Sequence, residues 1–309
     1  MPSRAARGEA AQNAARSELA AMKILIFGGS GMLGHQLWRH FHNRYETYVT
    51  LRRTGQEFER YGLFRDGRVF AGVDAEDFAQ VARVIRDYRP DAVLNCVGII
   101  KQLAEAKNPI QCITVNSLLP HRLAEVCGEL GARLVLFSTD CVFSGKRGHY
   151  TENDLADAED LYGRTKYLGE VAGMAYAITL RSSIIGRELG SSHSLVDWFL
   201  SQAGGKVHGF RRAIYSGFTT MEMSRIVERA LTDQRGLSGI WQVASAPINK
   251  YDLLLLLREK FKISVEIAPQ DDFLCDRSLV GARFAEATGY RAPEWPAMIE
   301  EMAALSRTV

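Results

Sequence analysis

The chain lacks the signatures of several large protein classes. No run of about 18 apolar residues occurs in its 309, so no membrane-spanning helix is expected. Residues 1–21 are rich in Ala, Arg, Glu and Ser and have no continuous apolar stretch of the kind a signal peptide needs. They read as a loose tail, helical in part. Neither sign of charge dominates, with 38 Lys and Arg against 36 Asp and Glu. That near-balance speaks against nucleic acid or an anionic membrane as the partner. Cysteine is scarce: Cys96, Cys112, Cys127, Cys141 and Cys275 are odd in number and include no CxxC pair. No disulfide framework or metal site is therefore expected, and a reducing, cytoplasmic setting is. Internal repeats and low-complexity linkers are also missing.

What remains is an alternation of short apolar runs with longer amphipathic stretches. Lys23–Phe27, Tyr48–Leu51, Val69–Ala71, Asp91–Asn95, Arg133–Phe137 and Ala177–Leu180 read as strands. Between them, Leu33, Leu37 and Phe41 share one helical face, as do Phe78, Val81 and Ile85. A helix is predicted from about Asn116 to Leu130, stopping at Gly131. Such alternation implies right-handed βαβ units and a Rossmann-like, doubly wound parallel sheet. After residue 186 the regularity fades. Residues 22–186 are read as a dinucleotide-binding domain, rejoined by 221–245, where Gly239–Ala244 looks like a returning strand. Residues 187–220 and 246–309, with a helix over Tyr251–Phe261, are read as a smaller substrate-binding part.

Ligands of such sheets bind beyond the carboxyl ends of the strands. Gly28, Arg52, Asp74, Asn95, Ser138 and Thr139 all fall there. Gly28, Gly31 and Gly34 follow the first strand and open a helix, with Ser30, Met32 and Leu33 in the same turn. The backbone N–H groups and dipole of that helix suit a pyrophosphate. The spacing is GxxGxxG rather than GxGxxG. An NAD site usually carries a carboxylate at the end of the second strand. Here Arg52 and Arg53 stand there, and guanidinium groups suit a 2′-phosphate. NADPH is expected over NADH.

Tyr162 and Lys166 lie one helical turn apart, so they share a face. A ketone that accepts hydride needs a proton. A tyrosine, with an ordinary pKa of about 10, supplies one more readily beside an ammonium and an oxidised nicotinamide. Thr139 is placed to hydrogen-bond the same carbonyl.

Together the stretches MKILIFGGSGMLGHQL, FSTDCVFSG and DLYGRTKYLGE resemble extended short-chain dehydrogenase/reductases, and most of all dTDP-4-dehydrorhamnose reductases. TLRSSIIGRE and GIWQVAS add weaker likeness. The resemblance spans about residues 22–300. It implies a catalytic set of Thr139, Tyr162 and Lys166, and reduction of the 4-keto group of a nucleotide-linked 4-keto-6-deoxy sugar. It also implies an adenosine pocket including Asp74, with Cys96, Val97 and Gly98 along the cofactor.

One position departs from that pattern. Cys141 stands where those reductases usually have Tyr and where sugar-nucleotide dehydratases have a Glu base. GDP-fucose synthases, which epimerise and then reduce, place Cys there and add a His after the sixth strand. Ser191-Ser192-His193 occupies a comparable place, so an epimerase-reductase using Cys141 and His193 is a second reading. A third is an NADP-binding regulatory subunit without turnover. For the sugar nucleotide, Lys101 and Gln102 are candidates at the sugar, Arg211 and Arg212 at the pyrophosphate, and Trp198 or Tyr215 for stacking. A nucleotide-sugar partner is expected, a homodimer is left open, and nucleic acid and membranes are not expected.

Overall fold

The computed structural model describes residues 22–65 and 67–306. The expectation for residues 1–21 lies outside them. Seven strands form one sheet: β1 (Lys23–Phe27), β2 (Glu46–Leu51), β3 (Val69–Ala71), β4 (Ala92–Asn95), β5 (Arg133–Ser138), β6 (Ala177–Arg181) and β7 (Gly239–Gln242). Their spatial order is β7-β6-β5-β4-β1-β2-β3, and every neighbouring pair is parallel. This is the expected Rossmann-like sheet, with the order reversing between β1 and β4, where a crevice opens.

Each face of the sheet is covered, which is why the strands are mostly apolar. In β1, Ile24 and Ile26 join one buried cluster, while Leu25 and Phe27 join the other. The first cluster takes in Leu37 and Phe41 of α1 (Met32–Phe41). The second takes in Val81 and Ile85 of α2 (Phe78–Tyr88) and Leu123 of α3 (Leu119–Leu130).

The predicted helix from about Asn116 starts earlier, at Pro109. The Asn108 side chain caps it by accepting the N–H groups of Ile110 and Gln111, and Pro109 occupies the first turn, where its missing N–H costs nothing. Ile113–Leu118 is a π-helical stretch that runs into α3. Asp160 caps α4 (Leu161–Leu168) through the Gly163 N–H.

Beyond β6 come α5 (Leu195–Ser201), α6 (Thr220–Leu231), α7 (Lys250–Phe261), α8 (Ala282–Thr288) and α9 (Trp295–Ser306). Three small sheets accompany them. Ile184–Ile185 pairs with Phe218–Thr219, Lys206–Phe210 pairs with Glu266–Gln270, and Ala213–Tyr215 is flanked by Ile248–Asn249 and Cys275–Asp276. Phe218, Ile226, Trp295 and Ile299 belong to the same buried cluster as Ile24 and Leu37. The smaller part thus shares a core with the sheet. Among the described residues no helix is long and apolar enough to cross a membrane, and no group of His, Cys, Asp and Glu is placed to hold a metal.

Candidate active site

Two cavities lie side by side at the carboxyl ends of the strands and share Cys96, Val97 and Gly98 as a common wall. The first, about 310 Å³, is bounded by Gly28, Ser30, Gly31, Arg52 and Asp74, with Thr50, Glu76 and Gln111. The second, about 330 Å³, holds Met32, Leu33, Lys101, Gln102, Thr139, Cys141, Tyr162 and Lys166.

The glycine turn shapes the first cavity. Gly28 has φ of +81°, a conformation open to glycine at little cost, and its N–H donates to Thr50 Oγ1 at 3.2 Å. A Cβ on Gly34 would stand 2.1 Å from the Gly28 carbonyl oxygen, so helix and turn can pack this closely only without one. The helix begins at Gly31 with no side-chain cap. Its first N–H groups face the side where an anion fits. An uncapped helix start, a tight turn and two linked cavities fit an extended dinucleotide. Of the two arginines after β2, only Arg52 lines the cavity. Arg53 is exposed, 3.9 Å from Glu57.

In the second cavity Thr139 is a hub. Its hydroxyl accepts the Cys141 N–H at 3.1 Å, donates to Asp140 Oδ1 at 3.1 Å, and neighbours the Tyr162 phenol. Burial pushes the Tyr162 phenol above its usual range, and the Thr139 hydrogen bond pulls only partly against it. Lys166 Nζ donates to the Phe137 carbonyl at 2.6 Å, and burial lowers its pKa to about 8. This corrects one sequence expectation. Lys166 is not bonded to the Tyr162 phenol, because its ammonium is turned to a β5 carbonyl. The protein by itself holds a protonated phenol, which suits a proton donor.

The helix that carries Tyr162 and Lys166 is braced from two sides. Asn116, in the π-helical stretch, accepts the Ile99 N–H and donates to both Ile99 O and Thr165 Oγ1, while Ser117 donates to Thr165 O at 2.8 Å. Beneath it, Glu170 receives Ser138 Oγ and a two-pronged contact from Arg181, each bond 2.6 Å. Both side chains of that ion pair are almost fully buried, at 4% and 2% exposure.

A model of the family described as the RmlD substrate binding domain matches residues 22–192. The chain belongs to that family. Among its relatives, dTDP-4-dehydrorhamnose reductase of Streptomyces griseus is 31% identical over 149 residues, 48% of this chain and 43% of that one. Methionine adenosyltransferase 2 subunit beta of Rattus norvegicus is 28% identical over 152 residues, 48% of this chain and 42% of that one. The chain thus matches less than half the length of either. A solved dTDP-4-dehydrorhamnose reductase from Bacillus anthracis, in complex with NADP, superposes with a TM-score of 0.76 at 18% identity, over 92% of this chain and 99% of that one, which shows a common fold.

Within this RmlD-type chain the structure does not gather every residue singled out by sequence. His193 is exposed, its N–H held by Glu188, and it does not line the cavity. Cys141 does, but burial pushes its thiol up to about 12. The pair needed for epimerisation is therefore not assembled. Arg211 and Arg212 lie on an exposed turn between Lys206–Phe210 and Ala213–Tyr215, and Arg211 is forked onto Asp271. Trp198, on α5, and Tyr215, 3% exposed beneath Lys250 and beside Trp295, are also absent from the lining. Lys101 is present, bonded at 2.6 Å to Asp160 and 5.5 Å from the Tyr162 ring centroid. Sequence reasoning missed Lys250, Ser182, Ser183 and Ser194 in this cavity, and Thr50 and Gln111 in the other. Asn108-Pro109 was the one local signal that would have placed Gln111 on a helix.

Proposed function

We propose that the protein is an NADPH-dependent reductase of the 4-keto group of a nucleotide-linked 4-keto-6-deoxy sugar. The observation that carries this is the convergence of Thr139, Tyr162 and Lys166 in one cavity that abuts the glycine-turn cavity through Cys96–Gly98. A bound nicotinamide supplies the hydride. Met32, Leu33 and Cys96–Gly98 would bound the cofactor where the two cavities meet, and Arg52 would meet a 2′-phosphate. Thr139 would swing its one hydroxyl proton from Asp140 to the ketone oxygen and so orient it, and Tyr162 donates its proton to that oxygen as charge develops. The S. griseus relative, named for this reaction, supports the choice of substrate class.

The test is NADPH oxidation with a panel of dTDP-, UDP- and GDP-linked 4-keto sugars. Tyr162→Phe is expected to lower turnover about 10²- to 10⁴-fold with NADPH affinity retained. Unchanged turnover in that variant would overturn the assignment.

A second reading, a cofactor-binding subunit without turnover, is favoured by the relative named as a subunit of methionine adenosyltransferase. It predicts tight NADPH binding, no oxidation across the panel, and co-purification with another protein.

A further inference from the structure

Lys250 is the side chain in the second cavity whose placement the sequence does not explain. It is the first residue of α7, where a cation faces the positive end of the helix dipole. Among the described residues it has no carboxylate within ion-pair distance. Its Nζ sits 4.4 Å from the centroid of the Tyr215 ring, which Trp295 and its own burial hold in place. Asp140 and Cys141 are its electrostatic neighbours, and all three line the cavity next to Thr139.

Asp140 is the complementary oddity. It is a buried carboxylate at 5% exposure that accepts the Thr139 hydroxyl. Both side chains line the cavity without closing into a salt bridge. A gap between a fixed acceptor and a fixed donor is what a sugar hydroxyl fills, since a hydroxyl donates once and accepts as well. The ketone oxygen lies on Thr139 and Tyr162, so the hydroxyl met by this pair is the one beside the ketone.

We propose that Asp140 and Lys250 form a donor–acceptor clamp for the ring hydroxyl adjacent to the ketone, which restricts the substrate to 4-keto hexoses bearing a free 3-hydroxyl. This rests on the ketoreductase reading above and narrows it. Lys250 is then a substrate-binding residue that sets specificity, and Tyr215 is its support. A hydrogen bond to a charged group, when lost, corresponds to roughly 10- to 100-fold in kcat/KM.

The experiment compares full-length wild type, Lys250→Met and Asp140→Asn. Each is tested with dTDP-4-dehydrorhamnose, its 3-deoxy analogue and dTDP alone, after thermal melts establish that the variants are folded. The proposal expects Lys250→Met to lose about 10- to 100-fold in kcat/KM on the hydroxylated sugar and less than about threefold on the 3-deoxy analogue. Affinity for NADPH and for dTDP should not change in Lys250→Met, and Asp140→Asn, which also loses the partner of Thr139, should slow both sugars but the hydroxylated one more. Equal losses on the two sugars overturn the clamp. Weaker binding of dTDP alone also overturns it, by assigning Lys250 to the pyrophosphate. A wild type that binds NADPH but turns over no member of the dTDP-, UDP- and GDP-linked panel refutes the ketoreductase reading itself, and the clamp falls with it.

Discussion

Lys166 shows how far burial can move a side chain from its behaviour in water. Its ammonium is held on the Phe137 carbonyl, yet desolvation lowers its pKa to about 8, from an ordinary value above 10. The charge is present below that pH and lost above it. If the ammonium serves the reaction, kcat/KM should fall on the alkaline side near pH 8, and the limb should move beyond pH 10 in Lys166→Arg, as read from pH–rate profiles. His35, one turn into α1, carries the same lesson for stability. It is buried with Nδ1 on the Gly31 carbonyl, and its pKa is lowered to about 4. The unfolded chain therefore binds a proton near pH 6.5 that the folded chain refuses until about 4. Stability should fall by about 3 kcal/mol as pH drops through that window, then level off. Urea unfolding between pH 7 and 4 measures this, and His35→Gln should flatten the slope. At this scale, spacing revealed Tyr162 and Lys166, because four residues in a helix fix a common face. It could not reveal that Lys166 points to β5 or that Arg211 is taken by Asp271, since both depend on partners far away in sequence.

Elements explain why those side chains stay put. The turn from β1 into α1 has no room for a methyl at position 34, so Gly34→Ala should abolish tight NADPH binding by pushing α1 off the Gly28 carbonyl. Fluorescence titration with NADPH, beside a far-ultraviolet spectrum showing the fold retained, tests that. On the other side, Glu170 joins the end of α4, β5 and β6 through Ser138 and Arg181. Glu170→Gln would leave the Arg181 guanidinium buried without its countercharge, a loss of about 3–5 kcal/mol, measurable by urea unfolding. The sheet strands were readable within a residue or two because strands buried on both faces are unbroken apolar runs. The two-residue strands at Ile184–Ile185 and Phe218–Thr219 are too short to carry a period, so the wall that holds Ser182 and Ser183 could not be read. The π-helical stretch was equally hidden, since Asn116 bonds to a loop that only the folded chain brings near.

For the whole molecule, one buried cluster runs from Ile24 in β1 to Trp295 and Ile299 in α9. The packing is therefore continuous across the two parts read from the sequence. A fragment ending at residue 192 would uncover the sheet face that α6 and α9 protect. It should bind a hydrophobic dye and unfold without a sharp transition, whereas the full chain should melt in one step by calorimetry.

The parallel pairing of every strand in the seven-stranded sheet also bears on how the chain is made. Each strand must wait for an intervening helix before it finds its neighbour, and β7 reaches the flank of β6 only after the segment carrying α5 and α6 has been synthesised. Until then the nascent polypeptide presents the bare edge of β6, so its birth on the ribosome is a period of slow maturation and exposure to self-association.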